Sequence, residues 1–404
     1  MCWRRCRSGI ALTPIAAGGE DAHGSAQQRR SRAKRDQAVK LATRSPRADL
    51  RGRWYSGPCA HADSNVKILI LFLARAVGGF RLARWLTRHQ LRILCYHGAA
   101  IAGEDAFRGG LFISPERFRR RLNFLAQAGY PVIELGPAVE RLKAGTAPPC
   151  ATVITIDDGW VGTVWHMAPA LRDHRFPATL YLATYYVDKQ TQVFNVAVDY
   201  LLWRSAPQCL DLAQVDPRLS GSYEIGAPSA RELACEVLIA LAETLADAAA
   251  RQHLLRRLGK TLGSDADALE HSRVMSFMTY QEAATIRGWG IDLQLHTHRH
   301  RLPTTNYADL ARELDDNRRA LTAATNQPLV HFCYPSGEYL PCQLAWLENW
   351  GVRTATTTKT GFNYRDTPPL ELRRFLDSEA VSDIEFEAEM AGFLELLRRF
   401  RHGP

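Results

Sequence analysis

From Ser114 to Leu182 helix-like and strand-like patterns alternate, and few architectures accept that order. Ser114-Pro115-Glu116 reads as a helix start, with Phe118, Leu122 and Leu125 following at helical spacing. Gly129-Tyr130-Pro131-Val132-Ile133 predicts a strand, and Val153 to Ile156 is an apolar, β-branched run that predicts a second, buried one. Trp165 to Asp173 reads as helix and Ala178 to Leu182 as strand. A β-α-β series of this kind implies a parallel sheet or barrel. The alternation then breaks over about 187–275, where the Ala- and Leu-rich stretch from Ser229 to Leu262 has helical periodicity. That stretch predicts a helical insertion. Thr279-Tyr280-Gln281-Glu282 has the capping-box pattern and opens a further helix.

Two strand ends carry unusual chemistry. Val153-Ile154-Thr155-Ile156 delivers Asp157 and Asp158 into a turn at Gly159. Leu293-Gln294-Leu295 delivers His296, His298 and His300 within five residues. Carboxylate plus imidazole is the ligand set of a hydrolytic divalent-metal site. A carboxylate left off the metal could deprotonate a bound water. Asp-Asp-Gly is also ordinary turn or N-cap chemistry, and a histidine cluster is also a solvated loop. Both sit at the C-terminal ends of predicted strands, where α/β folds assemble their sites, and this favours the chemical reading. In a third segment, Val330 to Tyr339, Pro335 and Gly337 force a turn at Ser336 that could aim a backbone N–H at an oxyanion.

Together these segments resemble the polysaccharide deacetylases of the NodB-homology type, carbohydrate esterase family 4. Ile154-Thr155-Ile156-Asp157-Asp158-Gly159 is similar to the family's Thr-Phe-Asp-Asp-Gly motif. His296 to His300 is similar to its His-Ser/Thr-x-x-His motif, and Phe332 to Tyr339 to its Phe-x-Tyr-Pro-x-Gly-x-Tyr motif. The resemblance runs over about 91–376 and implies a distorted (β/α) barrel with the helical insertion. It implies metal-dependent removal of N-acetyl groups from the amino sugars of a glycan. Asp157 would be the base, and Asp158, His296 and His300 would hold one divalent metal ion. Zinc suits a His2Asp set, and other divalent ions also fit. Ser336 would offer its N–H to the oxyanion, with Tyr334, Pro335 and Tyr339 lining the substrate pocket. The family's third-motif Arg and its late Leu-x-His are missing. Leu370-Glu371-Leu372-Arg373-Arg374-Phe375 instead resembles the Leu-Pro-Arg-Ile strand of a permuted branch. That branch opens with a strand ending in Tyr-His, as Leu91 to His97 does here. His97 is therefore the candidate acid and Arg374 the residue that orients Asp157. The rival readings are hydrolysis of another amide or of an O-acetyl ester, and an inactive sugar-binding barrel.

The net charge of +9 comes mostly from one end. Residues 1–65 hold 13 Lys and Arg against 5 Asp and Glu, whereas the remainder holds 38 against 37. The near-neutral remainder gives no basic face for nucleic acid. Residues 1–65 read as a disordered basic tail, one that is not native coding sequence if the start site lies near Val66. Deleting them is expected to leave folding and activity unchanged. Residues 66–90 read as an amphipathic helix; its apolar run is too short to span a bilayer. Through residues 66–88 that helix could lie on an anionic leaflet, making a peripheral membrane contact, or pack on the barrel. Nine cysteines without a Cys-x-x-Cys, and no export signal, are the pattern of a reducing cytoplasm. The sequence sets no oligomeric state.

Overall fold

A computed structural model describes residues 61–402, apart from 246, 265, 303–305 and 326. Most of the basic N-terminal stretch, residues 1–60, lies outside the described residues. The core is a seven-stranded sheet whose strands are all parallel. In chain order these are β1 (Arg92–Tyr96), β2 (Thr152–Asp158), β3 (Ala178–Leu182), β4 (Ile291–Leu295), β5 (His331–Cys333), β6 (Thr354–Thr356) and β7 (Phe375–Leu376). Their spatial order is β6-β5-β4-β3-β2-β1-β7. A parallel bridge from Thr356 to Leu372 joins β6 to the residues leading into β7. Leu372 N–H donates to Ala355 O and Thr357 N–H to Leu372 O, each at 2.9 Å. The two edges are thereby stitched, and the sheet curls into a distorted barrel of the expected class.

All seven residues of β2 are buried, as a central parallel strand covered on both faces requires. Helices cover the outside: α1 (His61–Ala76), α2 (Gly79–Leu86), α3 (Pro115–Gln127), α4 (Leu135–Ala144) and α5 (Ala168–His174). The insertion between β3 and β4 contributes α6 (Phe194–Arg204), α7 (Pro228–Glu243) and α8 (Ala248–Thr261). It also contains an antiparallel ribbon, Cys209–Asp211 against Ser222–Glu224. The remaining long helices are α9 (Tyr280–Arg287), α10 (Tyr307–Thr325), α11 (Pro341–Asn349), α12 (Asp383–Met390) and α13 (Phe393–His402).

Caps explain several boundaries. Ser114 accepts from Arg117 N–H at the start of α3, and Thr279 with Glu282 forms the complete capping box before α9. Between α7 and α8 the Asp247 carboxylate accepts from Ala250 N–H, which divides the Ala-rich stretch into two helices. One expected strand is not there. Gly129 to Ile133 makes only an isolated bridge from Val132 to Thr152, because Pro131 has no N–H to give and only its carbonyl and Ile133 N–H engage Thr152. The helix expected at Trp165 to Asp173 opens as a wider turn over Thr163–Met167 before α5.

Candidate active site

Each candidate residue stands at the C-terminal end of a barrel strand or beside the seam. Asp157 and Asp158 finish β2; His97 follows β1; His296 follows β4; Pro335 and Ser336 follow β5; Arg374 immediately precedes β7. The strand pairing fixes their relation, since Asp157 registers with Tyr181 and Tyr96 with Ile156.

The backbone here is strained where the chemistry is concentrated. Asp158, Thr297, His300 and Ser336 all have positive φ, at 72°, 59°, 53° and 60°. Non-glycine residues persist in that region only where the surroundings hold them. Gly159 has φ +105°, and a Cβ there would lie 2.1 Å from Leu182 Cδ1. The turn after Asp158 therefore demands glycine for both conformation and space.

Asp158, His296 and His300 bring three ligand atoms to one point. Each imidazole Nε2 lies 3.2 Å from Asp158 Oδ1. The donor atoms of the three lie within 4.8 Å of one another. Partners behind them fix their orientation. Nδ1 of His296 bonds the Cys333 carbonyl at 2.9 Å, which leaves Nε2 facing the cluster, and Trp160 Nε1 donates to Asp158 Oδ2 at 2.9 Å. A carboxylate and two imidazoles, the carboxylate and the His296 ring with second partners, are the donor set that a divalent cation of the zinc type takes. Burial would raise the Asp158 pKa, but the His300 and His296 rings override it and hold the carboxyl well below its usual range.

Asp157 is held differently. Arg374 forks onto it, Nη1 to Oδ1 at 2.7 Å and Nη2 to Oδ2 at 2.8 Å, with both side chains essentially inaccessible. Burial favours the protonated acid, yet the Arg374 guanidinium wins and holds the carboxyl at about 2. The Arg374 fork is fixed in turn by Thr155 Oγ1 and Thr357 O. Asp157 is thus an ionised carboxylate beside the Asp158-His296-His300 cluster, and it also lies within 4.8 Å of a ligand atom of His296 and of Cys333. The His97 ring lies in a cluster with Cys95 and Asp157, its ligand atom within 4.8 Å of theirs. Burial lowers the His97 pKa from the ordinary value, with Asp158 and Asp157 pulling the other way. His298 turns aside: Nδ1 bonds Thr184 Oγ1 at 2.9 Å.

The third segment lies against the barrel seam. Tyr334 stacks on Tyr339 at 4.5 Å and donates to Leu370 O, and Tyr339 bonds Glu371 and accepts from Lys359 Nζ. Pro335 is buried and Ser336 is exposed at the tip.

Sequence reasoning missed three groups. Cys95 and Cys333 each point a thiol at Asp157 Oδ2, at 3.5 Å. Asn317 on α10 accepts from His296 N–H at 3.0 Å and donates to Leu182 O and Thr184 Oγ1. The cysteines look like small strand hydrophobes. The one signal for Asn317 is its position on the apolar face of its helix between Leu314 and Leu321.

Residues 266–355, which include His296 and His300, match the polysaccharide deacetylase family. No curated protein matches the chain by sequence. Among solved structures, a Streptococcus pyogenes deacetylase, PplD, in complex with acetate has a TM-score of 0.50 at 16% identity, over 75% of this chain and 99% of that one. A Bacillus cereus polysaccharide deacetylase gives 0.45 at 18%, over 74% and 69%. IcaB from Ammonifex degensii gives 0.46 at 15%, over 75% and 96%. The first of these likenesses shows a shared fold, and residues 266–355 are similar to the polysaccharide deacetylase family.

Proposed function

We propose that this polysaccharide-deacetylase barrel is a metal-dependent hydrolase that removes N-acetyl groups from the amino sugars of a glycan, releasing acetate and a free amine. The observation that carries the reading is Asp157: a buried carboxylate kept ionised by Arg374 beside the Asp158-His296-His300 cluster. A binding barrel has no use for such a pair.

Asp158, His296 and His300 are the residues that would hold the ion. A divalent ion there lowers the pKa of water and polarises an acyl carbonyl. Asp157 accepts the proton of the attacking water on its carboxylate while Arg374 fixes the direction of its lone pairs. The water oxygen bonds to the acetyl carbon, the carbon–nitrogen bond breaks, and His97 gives its proton to the departing nitrogen. The strained turn at Ser336 supplies a backbone N–H for the oxyanion. Stacked Tyr334 and Tyr339, with Pro335, form the apolar wall that accepts the acetyl methyl.

The test is acetate release from a panel of N-acetylated glycans, with and without a chelator, together with metal analysis. Release that stops with chelator and returns with zinc or another divalent ion is expected, with free amine as the second product. Free hydroxyl in place of amine would make the protein an esterase. Full metal content in His296→Ala and His300→Ala would overturn the ligand assignment.

A further inference from the structure

Helix α1 carries two apolar stripes. Ile68 and Leu71 face the domain and pack with Phe80, Ile384 and Ala388. Val66, Leu69, Ile70 and Leu73, with Val77 just beyond the helix end, form the other stripe at i, i+3, i+4, i+7 and i+11. Every one of them is more than half exposed, Val77 at 83%. One stripe suffices to dock the helix on the domain, so the second answers to something outside it. Helix α2 repeats the pattern: Phe80 and Ala83 are buried, whereas Leu82, Trp85 and Leu86 are exposed. Helix α13, joined to α2 through the Phe80–Phe393 ring contact, exposes Leu397 and, at 90%, Phe400.

The charge left without an ion-pair partner around these stripes is basic. No Asp or Glu occurs from 64 to 103. Lys67 and Arg75 are neutralised by Glu385 and Glu387 of α12, and Arg398 by Glu389 and Glu395. Arg81, Arg84, Arg88, Arg399 and Arg401 have no carboxylate partner among the described residues. Arg88 sits over the Trp85 ring at 4.6 Å and donates to Trp85 O, placing a cation beside the exposed indole. Leucines and an indole rimmed by arginines without carboxylate partners complement a surface that is apolar beneath and anionic at its face. A second copy would set the same arginines against themselves.

We propose that α1, α2 and α13 form a docking face for a bilayer containing anionic lipid. The face leaves the active site open, because α2 runs into β1 at the N-terminal end of the strands and Asp157 and His296 lie at the other end. The proposal stands apart from the deacetylase reading. It is tested on the full chain by co-sedimentation with phosphatidylcholine vesicles, with and without phosphatidylglycerol. Binding is expected only with phosphatidylglycerol, falling as salt is added. Arg81→Glu and Arg88→Glu should each weaken it at least about fivefold. Leu69→Ser with Leu73→Ser should abolish it while acetate release from a soluble substrate is kept. If that double variant fails to fold, Arg81→Glu, whose side chain is exposed, carries the test. Absence of vesicle binding, or binding indifferent to lipid charge, overturns the proposal. So does a dimer of the wild type that Leu73→Ser disperses, which would make a second copy the occupant.

Discussion

Asp157 and Asp158 are neighbours in sequence with the same side chain, and their surroundings give them different work. Asp158 faces two imidazoles, whereas Asp157 faces a guanidinium, two thiols and the His97 ring. Asp157→Asn keeps the shape and removes the proton acceptor. Metal content should stay near wild type while turnover falls by about 10²–10⁴; near-normal turnover would move the base elsewhere. Arg374→Met leaves a buried carboxylate with no cation. Burial is then opposed only by the weaker pull of the His97 and His296 rings, so the Asp157 pKa should rise and carry the acid limb of the pH–rate profile upward with it. Breaking a buried pair in this way costs about 3–5 kcal/mol, which denaturant unfolding would register. His97→Ala tests the proton donor. Burial depresses the His97 pKa, so the imidazolium is lost below the usual imidazole range. The alkaline limb of kcat/KM should therefore fall on the acid side of that range and vanish in the variant, with metal content intact. A variant that keeps both limb and rate would make His97 a structural residue.

Helix α10 shows how one element secures another's loop. Its Asn317 is fully buried and ties the His296 backbone to the end of β3 through Leu182 O and Thr184 Oγ1. Asn317→Ala should lower metal affinity about 10–100-fold, the usual cost of a lost partner behind a ligand. Equilibrium titration with zinc would measure it, and unchanged affinity would show that the His296 loop holds itself. The local sequence gives Asn317 only its place on the apolar face of α10, because its partners come from β3 and from the loop after β4. The strand ends at Asp158 and His296 were legible, since apolar β-branched or leucine runs ending in ligand-type residues are local patterns. Arg374 was legible only through resemblance to a strand motif. The Cys95 and Cys333 thiols were not, because their meaning depends on two strands meeting across the barrel interior at Asp157. The strand expected at Val132 failed on one local fact, a proline, whose missing N–H limits the pairing to a single bridge.

At the scale of the molecule, buried ionisable groups outside the Asp158-His296-His300 cluster shape how the fold responds to acid. His331 begins β5, nearly buried, with Nδ1 on Thr354 Oγ1. Burial and then Arg353 lower its pKa to about 4. Its contribution to stability is present above the unfolded value near 6.5 and is lost as pH falls through 4, because the unfolded chain takes up the proton first. Asp377, which follows β7, is pushed to about 6 by burial, against Arg121 and the Tyr96 hydroxyl. Its contribution has the opposite sign: present below the unfolded value near 3.9, it is lost as pH rises through 6. The two windows overlap between about 4 and 6, where each group is worth on the order of 3 kcal/mol, and they oppose each other. The contributions of these two groups should therefore nearly cancel in the wild type over that interval, and each variant is read against it. His331→Gln should leave Asp377 unopposed, and stability should fall as pH rises from 4 to 6. Asp377→Asn should do the reverse, with stability climbing over the same interval. Urea unfolding of the three proteins at pH 4, 5 and 6 measures the slopes, and parallel slopes would show that neither group titrates across that window.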